Sequence, residues 1–258
     1  MVLFEYIISG FLVGTLVGLT GVGGGSLMTP LLVLFFKFPT AVAVGTDLLY
    51  AAITKSAGAL SHHKLGNVDW KIVKNLLLGS LPSSYLVTHH LKEIDLYSLQ
   101  NVEIINTSLG IALFLTSLAV LFQPIIVKKS VKQKLKTNLN INILTIILGF
   151  FLGVVVTLTS VGAGAIGVTA LLLIYPKLQI KKIIGTDIAH AVPLTLFAGI
   201  GHFNLGTVDT NLLIALLIGS VPGVLIGSKL SSRIDEKFLR LILVIILLIV
   251  GYAINFQR

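Results

Sequence analysis

The chain has 258 residues, of which 55% are hydrophobic and only 11% charged, with a mean hydropathy of +1.00. A soluble domain carries about a quarter charged residues, so an ordinary cytoplasmic enzyme, a disordered tail and a nucleic-acid-binding domain are excluded. The net charge of +9 lies mostly on lysines between apolar blocks, where it reads as orientation in a membrane rather than as a nucleic-acid partner.

Residues 1–9 contain Glu5 and no Lys or Arg, so the first apolar block lacks a signal peptide's basic start and is expected to be retained. Block 4–20 runs into the cluster Gly21-Val22-Gly23-Gly24-Gly25, and a short apolar segment, 26–36, follows. Blocks 46–60, 72–88 and 99–122 are longer. Residues 128–142 are polar, with five lysines and no acid. The pattern then restarts with blocks 143–159, 165–174, 184–200, 212–226 and 238–254. Only helices or closed barrels satisfy the backbone in lipid, and unalternating blocks of this length do not resemble barrel strands. The expected fold is all-α, a polytopic integral membrane protein. Its expected division is a first membrane repeat at 1–127, a basic cytoplasmic linker at 128–142 and a second membrane repeat at 143–258.

The restart is an internal repeat. Gly10-Phe11-Leu12-Val13-Gly14 recurs as Gly149-Phe150-Phe151-Leu152-Gly153, and the 19–25 cluster recurs at 158–164. Gly45-Thr46-Asp47 matches Gly185-Thr186-Asp187, and His62 matches His202. Leu65 to Asp69 matches Leu205 to Asp209, Gly79 to Pro82 matches Gly219 to Pro222, and Asp95 matches Asp235. The offset is 139 at first and 140 later, a single one-residue gap.

Loop charge decides the relative orientation of the halves. If the chain turns back at each glycine cluster, one side collects the lysines and arginines at 64, 71, 74, 128–136, 177–182 and 229–240, and the other keeps only Lys37, Lys92 and Arg258. The positive-inside rule favours this arrangement. It gives two inverted repeats with Gly-rich broken or re-entrant helices, both termini outside the cytoplasm, and residues 128–142 inside.

Three constellations carry candidate chemistry. The first is the glycine clusters with the helix starts that follow: Gly21, Gly23, Gly24, Gly25 and Ser26, and Gly162, Gly164 and Ala165. Glycine lets backbone approach a ligand, and helix N-terminal amides suit an anion. Broken helices at matched positions of two halves point to a transporter site; close helix packing is the alternative. No Gly-Lys-Ser/Thr follows, so this is not a P-loop. The second is Thr46, Asp47, Thr186 and Asp187. The threonines read as helix N-caps with the acids in the first turn, and cation or proton binding is the alternative. The third is His62 and His202, with His63 and His190 nearby. They read as a polar helix end at the cytoplasmic interface, or as donors to an anion. Lys55 falls inside an apolar block. It either snorkels to the interface or faces an anion pathway, and its repeat counterpart is Thr195. Asp69 and Asp209 read as N-caps, and Pro82 and Pro222 as kinks. No spacing matches a metal set, so neither metal nor cofactor is expected.

Gly14 through Pro30, read as G-x3-G-x2-G-V-G-G-G-x4-P, resembles the opening motif of the TauE/SafE sulfite exporter (TSUP) family. Gly45-Thr46-Asp47 and Gly66-Asn67-Val68-Asp69-Trp70 resemble its later motifs. The second copy departs from the first: Ser160, Ala163, Ala165 and Thr169 replace Gly21, Gly24, Ser26 and Pro30. The resemblance covers nearly the whole chain, and the family is itself a tandem duplication. It implies movement of small sulfur-containing anions such as sulfite or organosulfonates.

The expected function is a secondary transporter of such an anion in the cell inner or plasma membrane. A passive anion channel and a transporter of another anion, such as a carboxylate, are the alternatives. The expected partners are the anion, the lipid bilayer, a coupling ion (H+ or Na+) and a second copy in a homodimer, with no nucleic acid. H-E-x-x-H and G-x-S-x-G motifs are absent, so no enzyme is expected.

Overall fold

The computed structural model describes residues 2–20, 25–130, 140–230 and 236–256, with side chains described for 3–19, 27–127, 140–230 and 237–254. These residues form ten helices and no strand. The first half supplies α1 (Val2–Thr20), α2 (Gly25–Leu34), α3 (Thr40–Lys64), α4 (Trp70–Glu93) and α5 (Leu99–Ser130). The second supplies α6 (Ile141–Thr159), α7 (Ala165–Ile174), α8 (Ile180–Asn204), α9 (Thr210–Leu230) and α10 (Glu236–Phe256). The chain is a polytopic membrane protein. Five of its described helices are long and apolar enough to span a membrane: α5, α6, α8, α9 and α10. Large apolar side chains such as Leu12, Phe114, Ile147, Leu225 and Ile249 point outward, as lipid contact requires. α3 is more polar because it packs against α2, α5, α6, α8 and α9. Buried among helices, it tolerates groups that lipid would penalise.

The packing follows the sequence repeat. α1 lies along α9 as α6 lies along α4, and α2 meets α10 as α7 meets α5. α3 packs on its own counterpart α8, and α5 on α10. The directions are legible from the glycines. Gly10, Gly14 and Gly18 of α1 face Leu216, Ser220 and Val224 of α9, so these two helices run parallel. In α4 and α6, Gly149 and Gly153 face Leu76 and Ser80, again in parallel order. α3 and α8 run in opposite directions: Leu49 meets Gly199, Gly58 meets Ile188, and His62 meets Gly185. In lipid, small residues let backbones approach and gain dispersion contact. A Cβ at Gly10 would strike the Leu216 carbonyl, and one at Gly219 the Ile7 carbonyl.

α7 is separated from α6 by a buried break. Ser160 ends α6 in the left-handed conformation, φ 58°, with its amide donating to the Val156 carbonyl at 2.7 Å. Gly162 and Gly164 follow at φ 117° and 124°. Side-chain-bearing residues rarely adopt those angles. Ser160, Val161 and Gly162 are buried, so irregular backbone is kept from lipid. α2 and α7 have ten residues each. At 1.5 Å per residue they are about 15 Å long, roughly half the hydrocarbon core.

One reading of the sequence needs correcting. Thr46 and Thr186 are not N-caps. α3 starts at Thr40 behind Pro39, and α8 at Ile180 behind Gln179. Gly45 and Gly185 sit inside these helices because other backbone presses on them. A Cβ at Gly45 would meet the Thr207 carbonyl, and one at Gly185 the Asn67 carbonyl. The threonine hydroxyls reach across the repeat instead. Thr46 Oγ1 accepts from the Asp209 amide at 3.0 Å, and Thr186 Oγ1 from the Asp69 amide at 2.9 Å. Asp69 and Asp209 are the caps: Asp69 Oδ1 accepts from the Lys71 and Ile72 amides, and Asp209 Oδ1 from that of Leu212. Pro82 and Pro222 lie inside continuous helices.

Candidate functional site

A cavity of about 450 Å³ lies where the late parts of α1, α3, α5 and α9 meet the early parts of α7, α8 and α10. Its polar lining includes Thr54, Lys55, His62, Gln123, Asp187 and Arg240. Gly164 and Ala165, at the N-terminus of α7, also line it.

Lys55 is buried, and Nζ donates to the Ala163 carbonyl in the α6–α7 break at 3.2 Å. It is tied inward, so it does not snorkel. Its charged neighbours are Asp187 and Asp47. Its counterpart Thr195 is also buried and spends its hydroxyl on the Ala191 carbonyl at 2.8 Å. The cavity therefore holds one lysine side chain at a position that the other half fills with a threonine.

Asp47 and Asp187 are both fully buried. Asp47 Oδ2 accepts from the Thr29 hydroxyl of α2 at 2.6 Å. Asp187 sits against Gly167 at the start of α7 with the Gly164 amide beside it, and neither of its oxygens has a side-chain hydrogen-bond partner. Asp187 lines the cavity and Asp47 does not. Burying a carboxylate among helices is costly.

The far side is closed by the counterparts of the cavity lining. Val17, Thr54, Gly58, Ile184 and Ile188 line the cavity. By the sequence offset their counterparts are Val156, Leu194, Ala198, Val44 and Leu48. Those five residues pack together in one buried cluster. Because α3 and α8 run oppositely, this cluster lies towards the other end of the helix pair.

The remaining sequence candidates divide. Gly164, Ala165, Lys55, His62 and Asp187 meet at the cavity. Gly162 is buried in the break beside them. Gly21, Gly23 and Gly24 lie outside the described residues, and Gly25 and Ser26 form the first turn of α2. His62 and His202 end antiparallel helices, so they do not share one interface. His62 Nδ1 has no partner. His202 is held at both ring nitrogens, by Thr207 Oγ1 at 2.9 Å and the Thr157 carbonyl at 3.0 Å. It packs the closed side and does not line the cavity.

Some contributors were not legible. Gln123 and Arg240 reach the cavity only through packing of α5 and α10 on the other helices. Ser80 Oγ lies 2.9 Å from His190 Nε2, between α4 and α8. At the equivalent place between α9 and α3, Ser220 stands opposite Tyr50. The repeated Gly-Ser-x-Pro motif was the available signal for this pair of contacts. No group of three or more metal-ligating side chains occurs among the described residues.

Residues 6–254 match the family described as "Sulfite exporter TauE/SafE". The "Probable membrane transporter protein YjnA" of Bacillus subtilis is 41% identical over 252 residues, covering 95% of this chain and 96% of that one. A second Bacillus subtilis protein, "Probable membrane transporter protein YdhB", is 28% identical over 89% of this chain and 91% of its own. The "Probable membrane transporter protein MJ0441" of Methanocaldococcus jannaschii is 28% identical over 95% and 92%. No solved structure matches. The chain belongs to the TauE/SafE sulfite exporter family of membrane transporters.

Proposed function

We propose that the chain is a secondary transporter of a small, sulfur-containing anion, bound in the cavity beside Lys55. The observation that carries this reading is a buried lysine, Lys55, at a cavity wall next to the N-terminus of α7. A charge inside a membrane protein is expensive and is kept where it meets a pathway or a partner. The first α7 amides have no intrahelical acceptor and add partial positive charge on the same wall. Together they offer an anion a point charge and backbone donors. Membership of a sulfite exporter family supports sulfite or a related oxyanion as cargo.

The closed cluster favours a transporter over a passive channel. A channel needs a path through both sides, whereas here Val44, Leu48, Val156, Leu194 and Ala198 seal one side while their counterparts line a cavity. In this reading the halves are inverted repeats that exchange roles. The cavity closes as the cluster opens, and the anion is passed across. The opposite directions of α3 and α8 support inversion, since counterparts related by an axis along the membrane normal would run the same way. The basic loops support a cytoplasmic 128–142 linker and extracytoplasmic termini.

A thermal-shift screen of purified protein with sulfite, thiosulfate, methanesulfonate and acetate tests the cargo. Binding to the folded state raises the melting temperature by mass action. Stabilisation by the sulfur anions is expected, and a response to acetate alone would remove them as cargo. A C-terminal reporter active only in the cytoplasm should be silent; strong activity would overturn the orientation.

A further inference from the structure

Lys55 has two carboxyl groups, those of Asp187 and Asp47, as its charged neighbours. With both acids ionised, the buried triad carries two negative charges against one positive. An anion entering beside Lys55 adds a third negative charge in a medium that screens poorly. Either the anion is repelled or one carboxylate gives up its charge.

The two acids are not equally placed to do so. Asp47 accepts the Thr29 hydroxyl and has no access to the cavity. Asp187 lines the cavity and is buried against the start of α7 beside the Gly164 amide, and no side chain hydrogen-bonds either of its oxygens. We propose that Asp187 is a proton-binding site, and that it takes up one proton from cavity water as the anion binds at Lys55. The proton adds to a carboxylate oxygen, no other bond changes, and Lys55 keeps its ammonium charge for the cargo. Proton and anion then travel together. This rests on the anion reading above and adds the coupling ion to it.

The other groups around Asp187 are few. From α3 come Lys55, Asp47 and His62, and across the cavity Arg240 of α10. His190 lies one turn along on α8 itself, bonded to Ser80. α6 and α7 carry no titratable side chain, and the titratable side chains within α4 are all exposed. His62 and His190 are the competing sources of a pH response, and substitution of Asp187 separates them from it.

The test uses the full chain in proteoliposomes loaded with a pH-sensitive dye, in sodium-free buffer. Thiosulfate and methanesulfonate serve as probes because their charge is constant over pH 5 to 8. In the wild type, an inward anion gradient should acidify the lumen by about one proton per anion, and apparent affinity should rise up to about tenfold per pH unit of acidification, by linkage. Asp187→Asn should move anion without lumenal acidification and lose the pH dependence of affinity. Anion movement by the wild type without protons, an absolute need for Na+, or proton movement that survives in Asp187→Asn would each overturn the proposal. If Asp187→Asn does not fold, the wild-type stoichiometry decides alone. If neither probe nor sulfite is carried at all, the anion reading falls first and the coupling with it.

Discussion

Asp47 and Asp187 occupy equivalent positions of two related halves, yet one is sealed and the other faces a cavity. Around Asp187, the helices α1, α3 and α8 stand apart, with Lys55 at the wall. Around Asp47, the counterpart residues close into Val44, Leu48, Val156, Leu194 and Ala198. Duplicated sequence has produced two environments rather than two copies of one. An internally duplicated chain can hold one half open and the other shut, which is what a transporter needs and a pore does not. The difference also explains why the halves have diverged. Thr54, Gly58 and Lys55 on the open side are polar or small, whereas Leu194 and Ala198 fill the closed side and Thr195 satisfies itself locally.

The comparison can be broken most severely at the helix contacts beneath it. Gly219→Leu drives a side chain into the Ile7 carbonyl and should cost about 3 kcal/mol or more. Loss of the monodisperse peak after detergent extraction would register it. Gly66→Ala is the control: φ is +70° but nothing lies within 4 Å, so the cost should be about 1 kcal/mol. A similar loss in both variants would deny that α1–α9 contact is special.

Single cysteines sharpen the comparison, since the chain has none of its own. Ile188→Cys, on the cavity wall, should react with a membrane-impermeant thiol reagent at least about tenfold faster than Leu48→Cys, whose site opens only with the cluster. Adding the transported anion should narrow the gap. Equal rates from the start would mean that the cluster is no seal.

The finest test lies at the cross-repeat threonines. Thr46→Val and Thr186→Val each remove one acceptor from a helix-start amide, worth about 1–3 kcal/mol where the amide is left unsatisfied. The two costs should match within error, because this contact is the same in both halves. A large inequality would show that the asymmetry extends beyond the cavity.

Much of this organisation was legible before the structure. Long apolar blocks gave the helices, matched Gly, Pro, Asp and His positions gave the repeat, and the motif from Gly14 to Pro30 pointed to the family. The break after Thr159 followed from Ser160 to Gly164. The mistaken caps at Thr46 and Thr186 have a physical cause. A glycine before a threonine and an acid is also what close contact between helices requires, and sequence alone does not separate the two uses. Lys55 stood out because a charge in an apolar block is rare. Its partners did not, because Ala163 and Asp187 lie more than a hundred residues away and meet it only when α3 and α8 pack antiparallel.

Counterflow of labelled sulfite in proteoliposomes, wild type against Lys55→Met, tests the central claim most directly. The wild type should exchange anion saturably. Lys55→Met should fold yet exchange at least about thirtyfold more slowly, the counterpart of ~2 kcal/mol for losing one member of a buried charge pair. Non-saturable flux, or undiminished exchange in Lys55→Met, would contradict an anion site at this lysine.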